Sequence, residues 1–178
     1  MSVGIFYGSS GGATERVAKM IKEALGIDSD LIDIADAKAE DFDRYDILIL
    51  GSSTWGDGDL QDDWEDFFDE FKKIDLKGKT VALFGLGDQE EYPDTFVDAM
   101  GILYGQAVEN GAKTVGGGWP AEGYDFDESR AVREGAFVGL AIDEENQEEL
   151  TEQRVRKWTE GLKKELFGRD TDEPLRIV

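Results

Sequence analysis

The chain alternates short apolar, β-branched runs with longer stretches whose apolar residues recur at helical spacing. The strand-like runs are Val3–Tyr7, Leu31–Ile34, Ile47–Gly51, Val81–Gly85 and Lys113–Gly117. Helical stripes are predicted over Thr14–Leu25 (Val17, Met20, Ile21, Ala24, Leu25) and Asp62–Lys73 (Trp64, Phe67, Phe68, Phe71). Two more run over Asp94–Asn110 (Phe96, Met100, Leu103, Ala107) and Thr151–Phe167 (Val155, Trp158, Leu162, Leu166), the last with Thr151 as its N-cap. Between Leu31 and Ile47 only a short helix fits. Strands alternating with helices predict an α/β fold, a parallel sheet with helices on both faces. The stripes specify a core and carry no chemistry.

One stretch breaks the alternation. From Gly116 to about Gly139 the chain is rich in Gly, aromatics and acids, and then returns to a strand-like Val138–Ile142. This is an excursion inserted into or after the fifth strand. Beyond Phe167 the sequence is charged, contains Pro174 and loses its period, so 168–178 is expected to be a loosely attached tail to a single domain of residues 1–167.

Composition narrows the function. Apolar runs such as Ile47–Leu50 and Ala136–Ile142 are too short to span a bilayer, and the N-terminus enters a strand at once, so the chain is expected to be cytoplasmic. There is no Cys and no His, which removes disulfides, thiol nucleophiles, the usual iron–sulfur ligands and the imidazole base. The net charge is −22, and eight acidic side chains with no basic one lie between Asp57 and Glu70. Such a surface repels nucleic acid and anionic lipid. It serves solubility or salt adaptation, steers the protein toward a basic partner, or does both.

In an open parallel sheet, ligands bind beyond the carboxyl ends of the strands. The loop after the first strand, Gly8-Ser9-Ser10-Gly11-Gly12-Ala13-Thr14, joins hydroxyls and small residues to a helix N-terminus, an anion site without a cation. Its alternative is a tight glycine turn. The loop after the third strand, Ser53-Thr54-Trp55-Gly56-Asp57-Gly58-Asp59-Leu60, sets a Trp beside flexible glycines. That ring either covers a planar ligand or tucks against a helix. The loop after the fourth strand, Gly85-Leu86-Gly87-Asp88-Gln89-Glu90-Glu91-Tyr92-Pro93, places a second aromatic past a glycine turn. Two aromatics beside a phosphate cradle suggest a flat ligand clamped on both faces.

The order of these loops resembles flavodoxin over nearly the whole chain. Asp88-Gln89…Tyr92…Asp94…Phe96, Gly123-Tyr124-Asp125-Phe126 and Phe137–Glu144 resemble its long-chain subgroup, which carries an insertion in the fifth strand. The resemblance implies a flavodoxin-like doubly wound five-stranded parallel sheet of order 2-1-3-4-5. It implies a non-covalently bound flavin mononucleotide (FMN). Ser9, Ser10, Gly11, Gly12, Ala13 and Thr14 would form its phosphate site, with Gly11 where the family usually has Thr. Ser53, Thr54, Trp55, Gly56, Asp57 and Gly58 would border the ring, with Trp55 on one face. Gly87, Asp88 and Tyr92 would approach from the other side. It further implies a monomeric, low-potential one-electron carrier, not an enzyme, cycling between semiquinone and hydroquinone and replacing ferredoxin-type donors. Its partners would be basic redox proteins: an NADPH-dependent flavodoxin reductase, photosystem I or the nitrogenase iron protein. The rival on the same fold is an FMN-dependent NAD(P)H:quinone reductase, and a cofactor-free interaction module is another. A response regulator is rejected, because Tyr7-Gly8-Ser9 and Gly51-Ser52-Ser53 stand where it needs acidic residues.

Overall fold

The computed structural model describes residues 1–168. Its elements run β1 (Val3–Gly8), α1 (Ala13–Leu25), β2 (Asp30–Asp33), β3 (Ile47–Trp55), β4 (Asp59–Leu60), α2 (Asp62–Phe71), β5 (Thr80–Leu86) and α3 (Asp98–Glu109), then β6 (Lys113–Thr114), β7 (Trp119–Pro120), β8 (Val132–Arg133), β9 (Ala136–Phe137), β10 (Leu140–Ile142) and α4 (Thr151–Phe167). Two 3₁₀ segments, Ile34–Asp36 and Ala39–Arg44, fill the link between β2 and β3. The sheet runs β2-β1-β3-β5-β10 with every neighbouring pair parallel, the expected doubly wound order.

The fifth position is a divided strand. β6 pairs with the start of β5 and β10 with its end. The intervening excursion folds its own antiparallel sheet, β7-β9-β8. A Tyr124 hydroxyl pins it back, donating to the Ala141 carbonyl at 2.6 Å.

Successive side chains in a strand point to opposite faces. Phe6, Leu48, Leu50, Val81 and Leu83 therefore pack one core with residues of α2 and α3. Ile5, Ile47, Ile49, Ala82, Phe84, Leu140 and Ile142 pack the other with residues of α1 and α4. Burial on both faces explains why these strands read as continuous apolar runs. No helix of the described residues is long and apolar enough to cross a membrane.

Two helix starts differ from expectation. α3 begins at Asp98 rather than Asp94, because Val97 adopts φ 48 and interrupts the helical backbone. Thr151 does not cap α4. The chain enters that helix through a 3₁₀ turn, Glu148–Leu150, and the Thr151 hydroxyl donates instead to Glu144 Oε2 at 2.8 Å. Gly168, at φ 68, closes α4 by donating its N–H to the Lys164 carbonyl. The rest of the expected tail lies outside the described residues.

Candidate functional site

The three loops leave the carboxyl ends of β1, β3 and β5, which are neighbours in the sheet. β1 lies between β2 and β3, so the chain reverses its winding direction there, and such a reversal opens a crevice between the loops.

The first loop ends at Gly12, whose φ of 90 turns the chain into α1. Ser9 Oγ accepts the Gly12 N–H at 3.0 Å. Among the described residues no side chain caps α1, so the N–H groups of its first turn are left without a capping partner. A Cβ built on Gly11 or Gly12 would meet nothing within 4 Å, so open space lies beside those two glycines. Arg16, one turn further on, is committed to Glu144. An anion here would be held by neutral hydrogen-bond donors and the helix dipole.

In the second loop β3 runs past Gly51 to Trp55 and folds back as β4, with Trp55 opposite Asp59. A three-residue turn closes the hairpin. Gly56 (φ 51) and Gly58 (φ 92) occupy the positive-φ conformations that favour glycine. Trp55 is 50% exposed, and its indole N–H donates to Ser53 Oγ at 2.8 Å. Its ring is tethered at one edge and not tucked into the protein.

The third loop is held internally. Asp88 Oδ1 accepts the N–H groups of Glu90 (3.1 Å) and Glu91 (3.0 Å) and the Asn146 side-chain amide (2.7 Å). Burial pushes the Asp88 carboxyl pKa up, but these donors outweigh it and hold the group below its ordinary value. The Gly87 N–H donates to the Ile142 carbonyl at 3.1 Å, and the Tyr92 N–H to the Asp88 carbonyl at 2.9 Å. Asp88 thus shapes its own loop, and Tyr92 leaves it 43% exposed. Among the described residues the other exposed large apolar side chains, Met1, Val108 and Phe167, lie at the N-terminus or near helix ends. The two remaining, Trp55 and Tyr92, are those on these loops. Flanked by uncapped helix donors, they suit a planar ligand that carries a phosphate.

Two glutamines that bind the loops together escape a sequence reading. Gln61 is buried, donates from Nε2 to Ser10 Oγ at 3.1 Å, and accepts the N–H groups of Asp63 and Trp64 to cap α2. Its backbone N–H donates to Ser52 Oγ of β3 at 3.2 Å, so one residue ties the first loop to the strand that carries the second. Its place just before a helix was the only available signal. Gln89 donates from its backbone and side-chain nitrogens to Asp143 Oδ2 (3.1 and 2.7 Å) and accepts the Asp125 N–H. The third loop is thereby clamped by the segment after β10 and by the excursion.

The sequence profile of the flavodoxin family matches residues 5–158. The flavodoxin of Synechocystis sp. is 53% identical over 163 residues, covering 90% of this chain and 95% of its own. Flavodoxin 1 of Escherichia coli is 50% identical over 165 residues, covering 92% and 93%. Among solved structures, the Fusobacterium nucleatum flavodoxin bound to FMN is similar, with a TM-score of 0.87 and 32% identity over 92% of this chain and 98% of its own.

Proposed function

The chain belongs to the flavodoxin family, and on that premise we propose that it is a soluble electron carrier, not an enzyme, whose single domain of residues 1–167 holds one FMN without a covalent bond. The observation that carries this reading is the pair of half-exposed aromatics, Trp55 and Tyr92, on loops that adjoin the uncapped N-terminus of α1. Ser9 to Thr14 would hold the phosphate, with Gly11 supplying a backbone donor where a Thr would add a hydroxyl. Trp55 and Tyr92 would cover the ring, bordered by Ser53, Thr54, Gly56, Asp57, Gly58, Gly87 and Asp88.

Bound FMN supplies two one-electron steps, and the residues around it separate their potentials. Gly56 is assigned to offer its carbonyl to the proton gained at flavin N5, because a residue without Cβ can turn its peptide at little cost. The exposed carboxylates of Asp57, Asp59, Glu90 and Glu91 set negative charge on the same loops. They raise the cost of a second electron where protein screens less than water. The carrier would therefore work at its lower-potential couple and stand in for ferredoxin-type donors. The acidic run Asp57–Glu70 would meet basic partners: an NADPH-dependent flavodoxin reductase, photosystem I or the nitrogenase iron protein. Residence in the cytoplasm as a monomer belongs to the same proposal.

Anaerobic reductive titration followed by visible absorbance tests it. A yellow protein that passes through a stable blue neutral semiquinone is expected. Direct two-electron bleaching by NAD(P)H without a reductase would return the quinone-reductase reading. Gly56→Ala is expected to lower the semiquinone yield. A Cβ at residue 56 restricts the turning of the peptide that Gly56 allows, and at the present φ of 51 it would lie 3.2 Å from Asp59 Oδ2. An unchanged yield would remove Gly56 from the role given to it.

A further inference from the structure

Three consecutive residues at the start of α3 touch both aromatic-bearing loops. Val97 is β-branched, buried and held at φ 48. A side chain of that shape adopts this conformation only where its surroundings enforce it, and such outliers cluster at functional sites. Its backbone nitrogen closes on the third loop: a Cβ built on Gly87 would lie 2.9 Å away. Asp98 presses on the second loop. Its side chain belongs to a residue only 4% exposed, and a Cβ built on Gly58 would lie 2.6 Å from Oδ2. Ala99 completes the set, donating its N–H to Thr54 Oγ1 at 3.2 Å. From a third side, Arg130 of the excursion donates its N–H to Asp98 Oδ1 at 2.8 Å and sets its guanidinium 4.0 Å from Oδ2.

We propose that Val97–Asp98–Ala99 is a positioning element that locks the second and third loops to each other, with the Asp98 carboxylate as the wedge that fixes the Gly56–Gly58 turn. Its consequence for electron transfer rests on those loops flanking the flavin; the locking itself does not. A left-handed Val97 is what lets one tripeptide turn from Gly87 toward Gly58 before the helix begins. A carboxylate at the first position of α3 also suits the positive end of the helix dipole. The excursion thus reaches the second loop through Arg130 and Asp98, although it is never its neighbour in sequence.

The cost of this arrangement has a sign. Asp57 from the turn, Asp94 before the helix, and Asp127, Glu128 and Arg130 from the excursion line one cleft with Asp98. Burial pushes the Asp98 carboxyl pKa up; the Arg130 N–H and guanidinium pull it down, and the Glu128 charge pushes it up again, leaving it raised. A carboxyl with a raised pKa in the folded state contributes stability below its unfolded pKa and loses it as pH rises through the folded one. Asp98→Asn, which keeps an acceptor for Arg130, is therefore expected to raise the unfolding midpoint at neutral pH relative to the parent, more than at acid pH.

Amide hydrogen exchange on the flavin-free protein tests the coupling directly. Asp98→Ala should speed exchange at least tenfold in both loops, at Trp55 to Gly58 and at Gly87, Gln89 and Tyr92, while Asp98→Asn stays within threefold of the parent. Acceleration confined to α3 or to one loop overturns the proposal. Gly58→Ala, which pushes on the same carboxylate from the opposite side, should speed exchange at Gly87 and Tyr92, residues it does not adjoin in sequence; no change there overturns it equally. With FMN bound, Asp98→Ala should narrow the separation of the two one-electron potentials by about 59 mV, a tenfold change for one electron, and Asp98→Asn should restore it. A folded Asp98→Ala protein with the parental separation would overturn the link to electron transfer. A parent that binds no FMN would instead defeat the flavin reading, and the exchange result would still decide the locking.

Discussion

Replacing Trp55 with alanine is expected to weaken FMN binding strongly while leaving the unfolding midpoint of the flavin-free protein almost unmoved. The two halves have one cause. Half of Trp55 is already in water, and its indole N–H bonds only two residues away, to Ser53 Oγ, so folding gains little from it. A flavin laid against the indole would cover that exposed face. Stacking a base on an aromatic side chain is worth about 1–3 kcal/mol, equivalent to roughly fivefold to 150-fold in affinity. Fluorescence quenching of FMN titrated with the flavin-free variant reads the affinity, and thermal unfolding reads the stability. A variant that binds FMN as the parent does would place the flavin elsewhere. A variant whose midpoint falls by many degrees would show that the ring packs as core.

The parts of this protein that were legible in the sequence are those set by neighbours along the chain. β1, β3 and β5 are apolar runs bounded by glycine or polar residues, and α4 has the predicted limits because its stripe ends at Phe167 beside a glycine. The site loops were legible for a similar reason. Gly12, Gly56 and Gly58 stand where the backbone needs positive φ, and each adjoins the hydroxyls or the Trp that would meet a ligand.

What stayed hidden is what residues far apart in sequence do to one another. Asp143 is fully buried and clamps Gln89, 54 positions away, with no local pattern to announce it. Gln61 reads as an ordinary polar residue before a helix until Ser10 is found against it. Val97 is the clearest case. Its β-branched side chain argues against a left-handed backbone, and only packing against the Gly87 loop and the core overrides that preference. The predicted start of α3 failed there for the same reason. The error and the strained residue coincide because tertiary contacts set the conformation of both.

The other tryptophan near the site should behave in the opposite way to Trp55. Trp64→Ala is expected to cost about 3–5 kcal/mol of stability for the lost ring. Trp64 is fully buried between α2 and the sheet, edge-on to Phe67 at 6.2 Å and Phe71 at 5.6 Å. Its indole N–H donates to the Gly51 carbonyl at 2.8 Å, and truncation leaves that acceptor without it in a buried strand. A domain of this size loses about 2–4 °C of unfolding midpoint per kcal/mol, so a fall on the order of 6–20 °C is expected in the flavin-free protein. Trp64→Phe, which keeps an aromatic ring and loses the donor, should fall between the parent and Trp64→Ala. The ring also supports the first loop from below: a Cβ built on Gly8, where β1 meets that loop, would lie 2.6 Å from Trp64 Cδ1. Gln61, whose side-chain oxygen accepts the backbone N–H of Trp64, reaches Ser10 from the same place. Trp64→Ala should therefore loosen the loop proposed to hold the phosphate along with its core. FMN stabilises a folded state in proportion to its affinity, so the rise in midpoint on adding FMN should be smaller for Trp64→Ala than for the parent. A parental rise in a destabilised variant would show that the first loop stands without the ring beneath it, and an unmoved midpoint would remove Trp64 from the core altogether.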